Sequence, residues 1–214
     1  EAMPLSADGQ LVVGYDTIQN GDGEAFLANV SPLGGLITGT PNPDTLFGTE
    51  GKDTIDGRGG ADVMTGLGGD DTYYVDLSND VVVEAAAGGT DTVRSSITYT
   101  LPVNVENLIL SGTVAINGTG NALNNSLTGN AAANVLDGRG GTDTMTGGPG
   151  NDSYYVDLAT DKVVEALNEG VDLVRSTAPS YTLPVNVENL ILSGAAAIDG
   201  TGNTLANTLY PNAG

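Results

Sequence analysis

A glycine-led block of nine residues, with an acid or its amide at position six and an apolar residue at position eight, recurs along this chain and limits what it can fold into. The first run reads GTPNPDTLF from Gly39, GTEGKDTID from Gly48, GRGGADVMT from Gly57 and GLGGDDTYY from Gly66. The second reads GNALNNSLT from Gly120, GNAAANVLD from Gly129, GRGGTDTMT from Gly138 and GGPGNDSYY from Gly147. Position six is therefore Asp44, Asp53, Asp62, Asp71, then Asn125, Asn134, Asp143 and Asp152. Position eight is Leu46, Ile55, Met64, Tyr73, then Leu127, Leu136, Met145 and Tyr154. A unit this short cannot bury its apolar face alone, so it must stack on its neighbours as a solenoid.

Six residues of turn followed by three of strand put each block on one side of a flattened coil, and two blocks close a coil. Acids two blocks apart then stack: Asp44 under Asp62, Asp53 under Asp71, Asn125 with Asp143, Asn134 with Asp152. Glycines at position one and at position four (Gly51, Gly60, Gly69, Gly141 and Gly150) permit φ > 0 and turn backbone carbonyls inward. A hard cation between successive turns then collects two carboxylates and several carbonyl oxygens, the six-to-eight-oxygen shell of calcium; magnesium demands a stricter octahedron and keeps its water. The candidate ligands are Asp44, Asp53, Asp62, Asp71, Asp143 and Asp152, with Asn125 and Asn134 able to ligate only through a neutral carbonyl. The coils of Asn125, Asn134 and Asn207 are expected to be ion-free or weak, held by stacked amides. Asp80 and Asp161 keep the acid-x-apolar spacing without the double glycine, and with Glu84, Asp91, Glu165 and Asp172 they are further candidates. Any single aspartate could instead form an Asx-turn on its own backbone; repetition at a spacing of nine argues for ligands.

The charge balance agrees with cations. Against 6 Lys+Arg stand 27 Asp+Glu, a net charge of −21 that repels nucleic acid and anionic lipid and opposes compaction until a cation neutralises it. With 0 Cys and 0 His, the chain builds no disulfide, zinc site or His-dependent triad. Only 2 Phe and 0 Trp are present, so the core is expected to be thin and aliphatic. No run of about twenty apolar residues exists, so no transmembrane helix is expected. Glu1 follows no Met and no leader, which reads as a processed chain or a fragment.

A longer period contains the short one. GRGG at Gly57 returns at Gly138, 81 residues on, and YTLPVNVENLILSG from Tyr99 returns unchanged from Tyr181, now 82 on, with one residue inserted near Ala178 and Pro179. The expected division is 1–38 as an N-terminal cap or the remnant of an upstream module, 39–119 as a first solenoid unit and 120–214 as a second, truncated one. Within 1–38, LSADGQLVVGYDTIQNGDGEAFLANV reads as a hairpin or two short strands.

The nonads, together with NALNNSLTGN, NVENLILSG and GNDSYYVDLATDKVVEA, resemble the repeats-in-toxin (RTX) family of secreted bacterial proteins over roughly residues 39–210. The resemblance implies an all-β, right-handed parallel β-roll or β-helix, export by a type I system as an unfolded chain, and folding on calcium outside the cell. It also carries the ligand role onto Asp53, Asp62, Asp71, Asp143 and Asp152, and onto Asp44 with its turn glycines replaced by Pro41, Asn42 and Pro43. Members usually continue into a carboxy-terminal secretion signal, where this sequence ends at TLYPNAG.

Three functions compete. The first is a non-catalytic calcium-binding module that supports secretion and display of a larger exoprotein. The second is an adhesive or structural protein stacking end to end into homo-oligomers or filaments. The third is a glycan-active β-helix enzyme, disfavoured because Lys52, Arg58, Arg94, Arg139, Lys162 and Arg175 are scattered singly and there is no His. The first is the leading expectation, with calcium ions and an upstream domain as partners and no enzymatic activity.

Overall fold

The computed structural model describes residues 12–17, 23–28 and 34–212, the first two stretches by their backbone alone. Among the described residues every regular element is a β-strand, most of three or four residues. Among the described residues no helix is long and apolar enough to cross a membrane. The strands occupy positions seven to nine of each block, as in Thr54–Asp56, Val63–Thr65 and Thr72–Val75. Those positions carry the β-branched and aromatic side chains, which fit a pleated half-buried surface.

The chain divides into two compact units, one running to Ile97 and taking in Pro102–Val105, the other holding Thr98–Leu101 and everything from Glu106 onward. In the first unit, Leu36–Thr38, Thr54–Asp56, Thr72–Val75 and Thr92–Ser95 form one parallel stack. Thr45–Phe47, Val63–Thr65 and Val81–Val83 form a second. Gly23–Ala28 joins that second stack in parallel through Thr45–Phe47 and pairs antiparallel with Val12–Thr17, the two strands that the N-terminal sequence suggests. Residues 1–11, 18–22 and 29–33 of the expected N-terminal segment lie outside the described residues.

In the second unit Asn107–Leu110, Ser126–Thr128, Thr144–Thr146 and Lys162–Val164 stack in parallel. The other stack runs from Tyr99–Thr100 through Gly118–Thr119, Val135–Asp137, Ser153–Val156, Leu173–Ser176 and Asn189–Leu192 to Thr208–Tyr210. Ser180–Thr182 pairs separately with Asp199–Thr201.

The register shows two blocks per coil, because Leu46 lies opposite Met64, Ile55 opposite Tyr73, Leu127 opposite Met145 and Leu136 opposite Tyr154. Each unit is therefore a parallel β-solenoid of coils near 18 residues, as the spacing predicts. All eight of those position-eight side chains are fully buried, at 0% exposure. Val82, Val93, Val163 and Val174 continue the inward rows where the glycine pairs are lost. Strand alternation puts the second tyrosine of each pair outside: Tyr74 and Tyr155 are exposed beside buried Tyr73 and Tyr154.

This packing sets an expected energetic contrast. Truncating Leu136, fully buried in the core, should cost about 2–5 kcal/mol. Val81, exposed on its strand, should tolerate Val81→Thr within about 0.5 kcal/mol. Denaturant unfolding in saturating calcium checks both; equal losses would mean that the inward row is not the core.

Candidate metal centre

Position six sits at the corner of the coil, just before the strand, where the side chain can reach backbone groups of the adjacent coil. In the aspartates Asp62, Asp71, Asp80 and Asp91, and Asp143, Asp152, Asp161 and Asp172, one oxygen accepts the N–H of the counterpart residue one coil earlier. In the first unit the Asp44 N–H donates to Asp62 Oδ1 at 2.9 Å, Asp53 to Asp71 at 2.7 Å, Asp62 to Asp80 at 3.2 Å and Asp71 to Asp91 at 2.8 Å. In the second, Asn125 donates to Asp143 at 2.7 Å, Asn134 to Asp152 at 2.7 Å, Asp143 to Asp161 at 3.1 Å and Asp152 to Asp172 at 2.8 Å. These bonds form two rails of side-chain-to-backbone rungs along the turns. Position six is thus a structural residue before it is a ligand.

The second oxygen separates the turns into two kinds. Where position two is Thr or Asn, its N–H closes back on position six: Thr40 to Asp44 Oδ2 at 2.5 Å, Thr49 to Asp53 Oδ2 at 2.6 Å, Asn121 to Asn125 Oδ1 at 2.7 Å, Asn130 to Asn134 Oδ1 at 2.8 Å. The Thr49 hydroxyl adds a bond to Asp53 Oδ2 at 2.9 Å. Asn125 and Asn134 also donate their Nδ2 to the carbonyls of Glu106 and Ile116, so these amides are held without an ion.

In the other kind, position two takes a left-handed conformation: Arg58 at φ 62°, Leu67 at 79°, Arg139 at 61° and Gly148 at 80°. That rotates its N–H away from position six, and Arg58 and Arg139 donate instead to Oδ1 of Asp56 and Asp137. The Oδ2 atoms of Asp62, Asp71, Asp143 and Asp152 are left buried and accept no hydrogen bond.

The glycines differ from the sequence expectation accordingly. Left-handed φ falls at positions two and four, with Gly60, Gly69, Gly141 and Gly150 at φ 107–148°. Gly51 is not among the left-handed residues; its N–H bonds the Thr49 hydroxyl at 3.1 Å. Position one is glycine for room, since a Cβ on Gly57, Gly66, Gly138 or Gly147 would collide with the position-six carboxylate of its own turn.

Asp80 and Asp161 turn out to be capped. Each accepts two backbone N–H groups on Oδ2, from Asp76 and Leu77 at 3.2 and 3.0 Å, and from Asp157 and Leu158 at 3.2 and 3.0 Å. Glu84 and Asp91 associate with Asp71 rather than with Asp80, and Glu165 and Asp172 with Asp152. Linear spacing does not reveal that grouping, because it depends on coils 20 residues long at Asp71–Asp91 and Asp152–Asp172.

Burial without a counter-charge raises the acids. Desolvation, opposed by the rung hydrogen bond and reinforced by neighbouring carboxylates, lifts Asp62, Asp143 and Asp152 to about 6 and Asp71 to about 7. Glu165 reaches about 7, again chiefly by desolvation. Buried hard oxygens lacking a donor, two per long repeat in glycine-lined turns, fit calcium, which takes oxygen ligands only.

RTX calcium-binding nonapeptide repeats (4 copies) match residues 38–82 and 119–154, so these two stretches belong to that family of calcium-binding repeats. Calcium is accordingly the cation that the turns are built for. No curated protein matches the chain.

A pH dependence follows. These carboxyls titrate near their ordinary 3.8 when unfolded and near 6 to 7 when folded without metal. Protonation therefore favours the metal-free fold; that stabilisation is complete below about pH 4 and is lost as the pH rises through 6 to 7. In EDTA the folded fraction, read by circular dichroism, should be higher at pH 5 than at pH 8, and calcium should remove or invert the trend. A folded fraction in chelator that is independent of pH would show that these oxygens are not buried as described.

Proposed function

We propose that the chain is a calcium-triggered folding module, in which ions seated in the double-glycine turns complete the solenoid. The observation that supports this most directly is the set of four unpartnered, buried Oδ2 atoms on Asp62, Asp71, Asp143 and Asp152. In this reading those four aspartates and the carbonyls of their turns, including those at Gly60, Gly69, Gly141 and Gly150, are the main ligands. Asp44, Asp53, Asp80 and Asp161, already capped by backbone N–H groups, contribute less, and the turns of Asn125, Asn134 and Gly51 serve as spacers.

Calcium binds the folded state, so stability grows with its concentration. At the low calcium of a cytosol, 27 acids against 6 bases keep the chain open; at the millimolar levels outside cells it closes. That behaviour suits a segment of a larger secreted bacterial exoprotein which leaves the cell unfolded and sets outside it. The role is binding and folding rather than catalysis.

Calcium titration followed by far-ultraviolet circular dichroism is the test. The unaltered chain should gain β signal cooperatively. Asp62→Asn with Asp143→Asn should raise the midpoint calcium concentration by about tenfold or more, because ligand charge sets affinity. Asp53→Asn, which keeps an oxygen for the Thr49 N–H, should shift it by no more than about threefold. Full β signal in excess EDTA, or equal shifts for both variants, would refute the proposal.

A further inference from the structure

The two coils of 20 residues bring together more charge than a nonapeptide turn supplies. In the second unit Asp152, Glu165 and Asp172 are buried, and their ligand atoms lie within 4.8 Å of one another. Two oxygens each about 2.4 Å from a shared calcium can be no more than about 4.8 Å apart. Asp71, Glu84 and Asp91 repeat the arrangement 81 residues earlier. Only Asp71 and Asp152 fall inside the stretches matched by the nonapeptide family; the other four acids lie outside 38–82 and 119–154.

The sequence builds this cluster with three changes. Strand Ser153–Val156 pairs with Leu173–Ser176 at an offset of 20, where its other neighbour, Val135–Asp137, pairs at 18. The added residues lengthen the turn after Glu165. Alternation along Lys162–Val164, with Val163 inward, makes Glu165 the next inward position, so a carboxylate occupies the place that glycine holds at position one of the nonads. Tyrosine at position eight, in place of Leu, Ile or Met, carries a hydroxyl to the turn, and Tyr154 donates it to Glu165 Oε1 as Tyr73 does to Glu84.

One neutral hydroxyl does not compensate three buried acids. Asp152 Oδ2 and Glu165 Oε2 are buried within the cluster and accept no hydrogen bond. The charges acting on Glu165 are those of Asp172, Asp152 and Glu169, all negative. Buried carboxylates this poorly matched call for a proton or a cation, and at neutral pH and above a cation is the better match.

We propose that Asp152, Glu165 and Asp172, and likewise Asp71, Glu84 and Asp91, form a distinct class of cation site, one per long repeat. With three carboxylates each, these two sites fill ahead of the nonapeptide turns and hold trivalent lanthanide ions more tightly than calcium. The proposal rests on the calcium reading above only for the order of filling.

Terbium(III) chloride titrated into the chelator-stripped full chain, with tyrosine excited and terbium emission read, tests it. The chain has 8 Tyr and 0 Trp, so tyrosines are the only strong donors, and the hydroxyls of Tyr73 and Tyr154 touch the proposed sites. Emission should saturate at two ions per chain before further ions bind. Glu165→Gln, which keeps an acceptor for Tyr154, should leave one early ion, and Glu84→Gln with Glu165→Gln should weaken both by about tenfold or more. Tyr73→Phe with Tyr154→Phe should dim the emission while calorimetry still counts two ions. The proposal is overturned if Glu165→Gln retains two early ions. Should the unaltered chain fold on calcium yet show no early terbium phase, this inference fails alone; an early terbium phase without calcium-induced folding would refute the folding module and leave these sites standing.

Discussion

The rest of the structure depends on one divided carboxylate. Where aspartate holds position six, as in Asp53 and Asp62, one oxygen is committed to the N–H of the residue a coil below, which fixes the stacking distance and the register of the turns. The other is either closed by the N–H of position two or left without a donor. A parallel stack of three-residue strands has few ladder bonds per strand, so the rungs from Asp44 to Asp62 and from Asn134 to Asp152 carry much of the alignment. Register in turn places Leu46 on Met64 and Leu136 on Tyr154, and so makes the core.

The same division explains why acids, rather than amides throughout, occupy the rail. Asn134 satisfies itself with Asn130 and Ile116, so its own side chain needs no ion. Asp62 cannot, and its buried Oδ2 penalises the fold until it meets a proton or a metal ion. The solenoid therefore mixes turns whose side chains are satisfied by the protein itself with turns that call for an ion or a proton. The net charge of −21 acts in the same direction over a longer range, opposing collapse wherever cations are scarce.

Much of this was legible in the sequence because a strict nine-residue period leaves little freedom. The inward row, the two blocks per coil, the pairing of Asp53 with Asp71 and the outward Tyr74 all follow from counting. The distinction between turn types was written at position two, as Thr49 against Arg58, yet its meaning depends on a left-handed φ that nonglycine residues seldom adopt. Position-one glycines invited the wrong reason, since Gly57 is needed for close approach of Asp62 and not for its own conformation. The partnership of Glu84 with Asp71 was out of reach because it requires a lengthened coil and the span of the Tyr73 side chain, which are tertiary facts.

Residue-resolved hydrogen exchange at neutral pH, in calcium and after exhaustive chelation, addresses the divided carboxylate directly. The amides of Asp44, Asn125 and Asn134 donate to the Oδ1 atoms of Asp62, Asp143 and Asp152. They should be strongly protected in calcium and lose protection by at least about a hundredfold in chelator, roughly 2.7 kcal/mol at 25 °C. Protection at those amides that is the same with and without calcium would contradict the account.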